Sequence, residues 1–169
     1  MLQLDVAKLK RSPGDSARFD LLAELPSLEM EGESFIFSGP VKAGLVVVNT
    51  GPTLEIKGEV SGVLTLTCDR CLEPFEYSFD VLVEETYAHS AEGETGEAVP
   101  FTGDILDITP EALKSIVLAL PMKAVCREEC PGLCPQCGRN LNEGRCGCAN
   151  EEIDSRMSVL KDLLNKNHK

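Results

Sequence analysis

Residues 53–87, "TLEIKGEVSGVLTLTCDRCLEPFEYSFDVLVEETY", contain the strongest strand signals in the chain. The first eight residues of this stretch alternate between apolar and charged side chains, which predicts a half-buried antiparallel strand. Ser61 and Gly62 predict a turn into a second strand, and a third alternating strand begins at Phe75. The last two of these strands form a predicted β-hairpin, and Cys68 and Cys71 lie at its tip.

Shorter patterns predict the elements around this hairpin. "SFIFSGPVKAGLVVVNTG", residues 34–51, predicts strands around Phe35–Phe37 and Gly44–Asn49, with glycine and proline at the turns. The segment Ala88–Asp104 is small, acidic and unpatterned, which is typical of a mobile loop.

The clearest helix signal lies in "DITPEALKSIVLALP", residues 107–121. Thr109 suits the N-cap, Pro110 suits the first helical position, and Pro121 ends the helix. Apolar residues recur at helical spacing on one face: Leu113, Ile116, Val117 and Leu120. A last helix is predicted from near Asp154. Its apolar side comprises Met157, Leu160 and Leu163 or Leu164.

The net charge of −12 is unevenly distributed along the chain. Residues 71–113 hold eleven acidic side chains and no Lys or Arg, whereas residues 114–169 are net positive. A chain with this balance repels a phosphate backbone, because proteins bind phosphate through clustered Lys and Arg. The acidic tract predicts either a solvated face that maintains solubility or a surface for a basic partner.

Eight cysteines form four close pairs with the spacings CxxC, CxxxC, CxxC and CxC. They are Cys68, Cys71, Cys126, Cys130, Cys134, Cys137, Cys146 and Cys148. Eight thiols at such spacings match two tetrahedral thiolate sites, because two sulfurs across a tight turn can both lie about 2.3 Å from one ion. We therefore expect two structural zinc ions.

The expected compartment supports metal over disulfides. The N-terminal stretch lacks the apolar core of a signal peptide, and no apolar run reaches the ~18 residues of a membrane span. We therefore expect a cytoplasmic protein, and in a reducing cytoplasm closely spaced thiols bind metal more often than they form disulfides.

The spacing also predicts how the thiols group. Only eight residues separate Cys137 from Cys146, so the last four cysteines form a self-contained loop site. That leaves Cys126 and Cys130, just after the helix, to meet the hairpin pair and staple the helix end to the sheet. The main alternative is a single site drawn from the six C-terminal thiols, with the hairpin pair free.

Three other roles for the thiols have less support. Catalytic zinc needs an open coordination position, usually beside His or carboxylate ligands, and the chain has only His89 and His168. Redox chemistry at "CDRC" lacks the βαβ context of thioredoxin-like proteins. The spacings also differ from the ferredoxin iron–sulfur run. No P-loop, GxGxxG or GxSxG is present, so no catalytic residue is assigned.

These elements predict an α+β fold, namely a hairpin-rich antiparallel β-sheet with one packed helix, a cysteine-rich zinc-binding loop and a C-terminal helix. A barrel-like closure of the sheet is a variant of this prediction. We expect a single domain, 1–169, with residues 35–121 as the sheet and helix core. Residues 122–169 form the zinc-binding segment and last helix.

Three blocks of the sequence carry a resemblance to a known family. They are "LTCDRCLEPFEYSFDV", "GDILDITPEALKSIVLALPMKAVCREECPGLCPQCGRNLNEGRCGC" and "DSRMSVLKDLL". Because it has these three blocks in this order, the chain resembles the YceD family of large ribosomal RNA subunit accumulation proteins. That family is bacterial and is also present in plastids. The resemblance covers residues 35–165 and implies a role in the synthesis, processing or stability of large-subunit (23S) ribosomal RNA.

The resemblance also bears on the thiols and on catalysis. No agreed activity or catalytic residue comes with the family, so the implied role is non-enzymatic. Some members have His where Cys126 and Cys130 stand, and others lack the later cysteines. This pattern implies that Cys126 and Cys130 are a zinc ligand pair. It also implies that the metal has a structural role.

The charge pattern leads to an expectation about partners. We expect the acidic strand face and loop to contact a basic ribosomal protein or an assembly factor, with no membrane and no small-molecule substrate. A weaker direct contact with ribosomal RNA stays open through net-positive residues of the C-terminal part: Lys123, Arg127, Arg139, Arg145, Arg156 and Lys161. The alternatives are a general zinc-ribbon interaction module, for example in transcription, and a thiol oxidoreductase.

Overall fold

The computed structural model describes residues 1–30, 33–89 and 98–148. Within these ranges the chain is mostly β-sheet with one α-helix. In chain order the elements are β1 (Gln3–Asp5), a 3-10 turn (Leu9–Arg11), β2 (Ser16–Ala23), β3 (Leu28–Met30), β4 (Glu33–Phe37), β5 (Val41–Asn49), β6 (Thr53–Thr67), β7 (Pro74–His89), β8 (Val99–Phe101), β9 (Ile105–Asp107) and α1 (Thr109–Ala119). The α+β prediction is confirmed in its broad form, with antiparallel pairing dominant.

The long hairpin of β6 and β7 is the centre of the sheet. Its ladder runs without interruption from the Thr53–Ala88 pair to the Thr67–Pro74 pair. The predicted turn at Ser61 is therefore wrong, because this residue continues the ladder as the partner of Asp80. The glycine that follows fits in mid-strand because the ring of Phe79 takes the space of a side chain there.

The sheet extends from both edges of β6. One edge pairs with β5, which in turn pairs with β2, and β4 takes over the same edge beyond the end of β5. On the other edge, β7 continues to β8, which pairs with it in parallel. Among the described residues the outer strands do not pair with one another, so the sheet is open and the barrel-like variant is wrong.

A second layer explains why the sheet can stay open. The helix α1 packs against β7, and a two-stranded sheet of β1 and β9 joins the N-terminus to the segment before the helix. Leu2, Leu4 and Ile116 are fully buried in the same core as the inward residues of β5 and β6. The apolar face of the sheet is thus covered by other elements instead of by its own closure.

The predicted helix is confirmed, but its first turn differs. Ile108 occupies the N-cap, and Thr109 is the first helical residue. The Thr109 hydroxyl instead accepts a hydrogen bond from the backbone N–H of Leu2 at 2.8 Å, so it ties the N-terminus to the helix. The buried side of the helix is centred on Ala112 and Ile116, and Val117 is only half-buried.

The remaining predictions have mixed outcomes. The strands around Phe35–Phe37 and Gly44–Asn49 are confirmed within β4 and β5. The predicted loop of 88–104 contains the end of β7 and the short strand β8, and its residues 90–97 lie outside the described ranges. The predicted last helix near Asp154 also lies outside them. In the described part of the chain, no helix combines the length and apolar character that a membrane crossing requires.

Candidate metal centres

The first candidate centre joins the tip of the hairpin to the segment after α1. The sulfurs of Cys68, Cys71, Cys126 and Cys130 all lie within 4.8 Å of one another. The Cys68–Cys130 and Cys71–Cys126 sulfur distances are both 3.9 Å. Four sulfurs at the usual zinc–sulfur distance of about 2.3 Å would stand about 3.8 Å apart in a tetrahedron. The spacing of these four sulfurs therefore suits a tetrahedral site.

The second candidate centre is local to the loop that follows. The sulfurs of Cys134, Cys137, Cys146 and Cys148 also lie within 4.8 Å of one another. All eight cysteines are free thiols. The structure groups the thiols as their spacing predicted and contradicts the alternative in which the hairpin pair belongs to no group. Their role as metal ligands stays a prediction.

Both CxxC turns have the same backbone. In the first, the N–H of Cys68 donates to the Glu73 carbonyl at 2.9 Å, and the N–H of Leu72 donates to the Cys68 carbonyl at 2.8 Å. The second turn repeats both bonds at 2.9 and 2.8 Å, with Cys134 and Gly138 in the equivalent positions. Leu72 and Gly138 both have left-handed backbone angles, with φ of 62° and 72°.

The first cysteine of each turn is prepared to be a thiolate. Burial opposes ionisation of the Cys68 thiol, but backbone N–H donors, with Cys126 first among them, outweigh it and lower the pKa to about 6. The Cys126 N–H lies 3.4 Å from that sulfur. Backbone N–H groups of Cys137 and Gln136 lower the pKa of Cys134 to about 6 in the same way.

Other thiols in each group resist ionisation because of their neighbours. Burial and the adjacent sulfurs raise the pKa of Cys126 to about 12. The sulfur of Cys137, together with burial, raises the pKa of Cys148 to about 12. Negative charges this close repel each other, so four thiolates can coexist only with a cation between them. The all-sulfur donor set fits zinc better than a hard, oxygen-seeking ion.

The two centres differ in their exposure. Cys68, Cys71 and Cys130 are at most 3% exposed and pack with Val125 and Leu133. In the second centre Cys137 is exposed, and only Cys134 is buried. The first centre therefore also acts as a small core that joins distant parts of the chain, whereas the second organises its own loop.

Asn142 links the two centres, and the sequence reasoning did not find it. It lies in the loop of the second centre, yet its side-chain amide donates to the sulfur of Cys130 at 3.4 Å. This donor is the first cause of the lowered pKa of Cys130. The Asn142 carbonyl oxygen also accepts a hydrogen bond from Arg127. No spacing rule marks such a residue, because its role depends on the approach of two loops.

Arg70, in the first CxxC turn, is a second contact that spacing could not indicate. Its guanidinium donates to the carbonyls of Glu128 and Cys130 at 3.0 and 2.9 Å, so it holds the CxxxC segment against the hairpin tip. The Arg70 carbonyl in turn accepts the N–H of Leu133 at 3.1 Å. Arg70 therefore positions the ligand segments and is not a free basic side chain.

Replacement of Asn142 by alanine should weaken metal binding at the first centre. Loss of the amide donor raises the pKa of Cys130, so protons compete better with the ion and metal is released at a higher pH. Contacts of this kind to ligand atoms are worth 10–100-fold in metal affinity, and we expect a loss of about tenfold. The measurement is competition with a chromogenic chelator in a Cys137→Ser background, where only the first centre is titrated.

Glu143→Ala is the matched control, because Glu143 is the exposed neighbour of Asn142. It should leave both affinity and the pH of release unchanged. Equal affinities for Asn142→Ala and the control would contradict the role of the amide.

Away from the sulfur groups, the described residues offer little reactive chemistry. An open depression of about 610 Å³ on the sheet has only Lys42 and Asp80 as ionisable lining residues. His168 and the side chain of His89, considered above for catalytic zinc, lie outside what the structure describes. The cysteine groups are thus the best-formed candidate sites in the described part of the chain.

The geometry defines a mostly antiparallel sheet protein with two tetracysteine groups that suit structural metal ions. Residues 56–164 match the family model described as "Large ribosomal RNA subunit accumulation protein YceD", and this chain belongs to that family. The match includes β6 from Ile56 onwards, β7, α1 and all eight cysteines.

Similar proteins come from bacteria and plants. An uncharacterised protein of Mycobacterium tuberculosis is 30% identical over 174 residues, covering 96% of this chain and 81% of that protein. An uncharacterised protein of Bacillus subtilis is 25% identical and covers 94% of each chain. A chloroplast YCED homolog of Arabidopsis thaliana is 26% identical over 155 residues, covering 73% of this chain and 48% of that protein. No solved structure matches this chain.

Proposed function

We propose that this chain is a non-enzymatic factor that supports the accumulation of large-subunit (23S) ribosomal RNA, with a fold held by two structural zinc ions. The observation that carries the proposal is membership of a family with that description over residues 56–164. Chloroplast relatives from Arabidopsis thaliana and Zea mays carry the same description.

A structural role for the metal follows from the donor set. Four cysteine sulfurs in each group can fill all four positions of a tetrahedral ion, so no position is left for an activated water or a substrate. Bound there, zinc would supply cross-links, while Arg70 and Asn142 orient the ligand segments. The ions therefore support the shape of the protein, and its function rests on binding.

The outward face of β7 is the surface we assign to a protein partner. Glu76, Asp80 and Glu84 are exposed along it. The only ion pair with this face among the described residues is that of Lys57 with Glu84 at 2.5 Å, and both side chains are largely exposed, so the pair is weak. Such a face repels RNA and attracts a basic protein, either a ribosomal protein or an assembly factor.

Direct contact with RNA is secondary in this proposal. Of the basic residues in the described C-terminal part, Arg127 is already engaged with Asn142. Lys123, Arg139 and Arg145 stay available, but exposed acids, such as Glu128 and Glu129, lie on the same segment. A contact of this size contributes much less to RNA affinity than an extended basic surface would.

The test uses bacterial cells that lack the protein. We expect a lower ratio of large-subunit to small-subunit ribosomal RNA, restored by the wild-type chain. A chain with Glu76→Lys, Asp80→Lys and Glu84→Lys should fail to restore it, whereas Asp20→Lys on β2 should succeed. One result would contradict the proposal. In it, the purified protein binds naked ribosomal RNA tightly and with a steep salt dependence, and it binds no protein of the large subunit.

A further inference from the structure

Leu72 has a backbone conformation that its side chain disfavours. It follows the second cysteine of the hairpin tip, and among the described residues it alone, apart from glycines, has a positive φ, at 62°. In this region the Cβ of an L-residue crowds the backbone, and a bulky side chain is rare there. Glycine has no such penalty.

The second CxxC turn shows what the geometry requires. It repeats the hydrogen bonds of the first turn, and Gly138 stands in the position of Leu72 with a φ of 72°. A metal-binding turn of this shape thus forms without a side chain at that position. The leucine is therefore not explained by the turn.

Packing within the chain does not explain the leucine either. Its side chain is 64% exposed, so it makes little contact with the core. Met122 is fully exposed nearby in the fold: Asp69 and Ala124 join the two segments through two hydrogen bonds of 2.8 Å. Leu72 and Met122 are therefore large, exposed apolar side chains on the two segments that these hydrogen bonds join.

We propose that Leu72 and Met122 are the apolar anchor of a docking surface for a basic protein segment. We call the surface the knuckle surface and define it by these two residues together with Asp69 and Glu73. The proposal rests on the proposed function, because the knuckle surface would add an apolar contact for the same partner beside the outward face of β7, which begins directly after Glu73. A strained and exposed side chain is explained if its burial occurs in a complex.

The charge around the anchor selects the occupant. Further exposed carboxylates lie nearby on Glu128 and Glu129. The guanidinium of Arg70 donates to backbone carbonyls and keeps its positive charge, and Lys123 and Arg127 are exposed on the same two segments. The four carboxylates on these segments outnumber the three cations. A divalent ion held by the four thiolates of the first centre would add excess negative charge at the same place. The knuckle surface therefore fits a polypeptide segment with an apolar side chain between Lys or Arg residues, and it disfavours RNA.

The experiment compares variants of the full, zinc-loaded chain. The first probe is the total protein of purified large ribosomal subunits and their precursor particles, and the second is naked large-subunit ribosomal RNA. Leu72→Gly removes the side chain and the strain, whereas Leu72→Met keeps a large apolar side chain. Leu22→Ala is the matched control, because Leu22 on β2 is also 64% exposed.

We expect the wild type, Leu72→Met and Leu22→Ala to bind the same basic protein, and Leu72→Gly to bind it at least about tenfold more weakly. The melting temperature of Leu72→Gly should equal or exceed that of the wild type. A lower melting temperature would overturn the inference, since Leu72 would then serve folding. Unchanged binding by Leu72→Gly would also overturn it, while leaving the proposed function standing.

Two other outcomes separate the inference from the proposed function. If the wild type binds no protein of either particle, the protein-partner function itself fails, and the inference fails with it. If the wild type binds naked ribosomal RNA and Leu72→Gly loses that binding, the knuckle surface is real but its occupant is wrong.

Discussion

Replacement of Cys68 by serine is expected to abolish cooperative folding. The Cys68 side chain is fully buried, and its sulfur belongs to the group that joins the hairpin tip to the segment after α1. Structural zinc sites contribute on the order of 10 kcal/mol, comparable with the 5–15 kcal/mol total stability of a typical domain. A serine hydroxyl does not ionise to replace the thiolate. Thermal unfolding followed by far-UV circular dichroism should show no transition, or one at least about 15 °C lower.

Cys137→Ser is the control for Cys68→Ser, because it removes a thiol of the second centre instead of the first. Cys137 is exposed and belongs to the centre that organises only its own loop. Its replacement should release one metal ion but leave the melting of the sheet within a few degrees of the wild type. If both variants have the same melting temperature, or if Cys68→Ser melts like the wild type, the first centre does not stabilise the fold by joining the hairpin tip to the segment after α1.

Replacement of Gly58 by alanine should be the most damaging change within the sheet itself. Gly58 lies in the middle of β6, where a Cβ would stand 2.1 Å from the Gly44 carbonyl oxygen and 2.8 Å from the Leu45 Cα. Both atoms belong to the backbone of β5, so no side-chain movement relieves the overlap and the two strands must separate. We expect a loss of about 3 kcal/mol or more in the free energy of unfolding, measured by urea denaturation.

Gly44→Ala is the matched control on the neighbouring strand. A Cβ there meets only the side-chain oxygen of Asp20, at 3.5 Å, which is an ordinary contact. Its free energy of unfolding should change by less than about 1 kcal/mol. A tolerated Gly58→Ala, or equal losses for both variants, would contradict the close packing of β5 on β6.

The elements with strong periodicity were predictable from the sequence. The alternation from Phe75 onwards indicated β7, and the apolar spacing indicated α1. Ser61 and Gly62 were misread as a turn because that pair is also a turn signal. The pairing of Ser61 with Asp80 and the ring of Phe79 keep it within a strand, and both depend on tertiary structure.

The candidate centres were predictable in membership but not in their surroundings. Short-range reach groups Cys134 and Cys137 with the CxC pair, so the remaining thiols have to meet across the fold. Asn142 could not be identified in this way, since its contact with Cys130 arises only when two loops pack together. The left-handed conformation of Leu72 was equally hidden, because leucine is not a residue that signals a positive φ.

We propose that sulfur-bound metal ions hold this fold together. The most direct test is the metal content and metal–sulfur distances of the protein, purified anaerobically without chelators, from elemental analysis and X-ray absorption spectroscopy. We expect about two zinc ions per chain, each with four sulfur neighbours at about 2.3 Å. A folded, metal-free protein with eight reduced thiols and cooperative unfolding that added zinc does not change would contradict it.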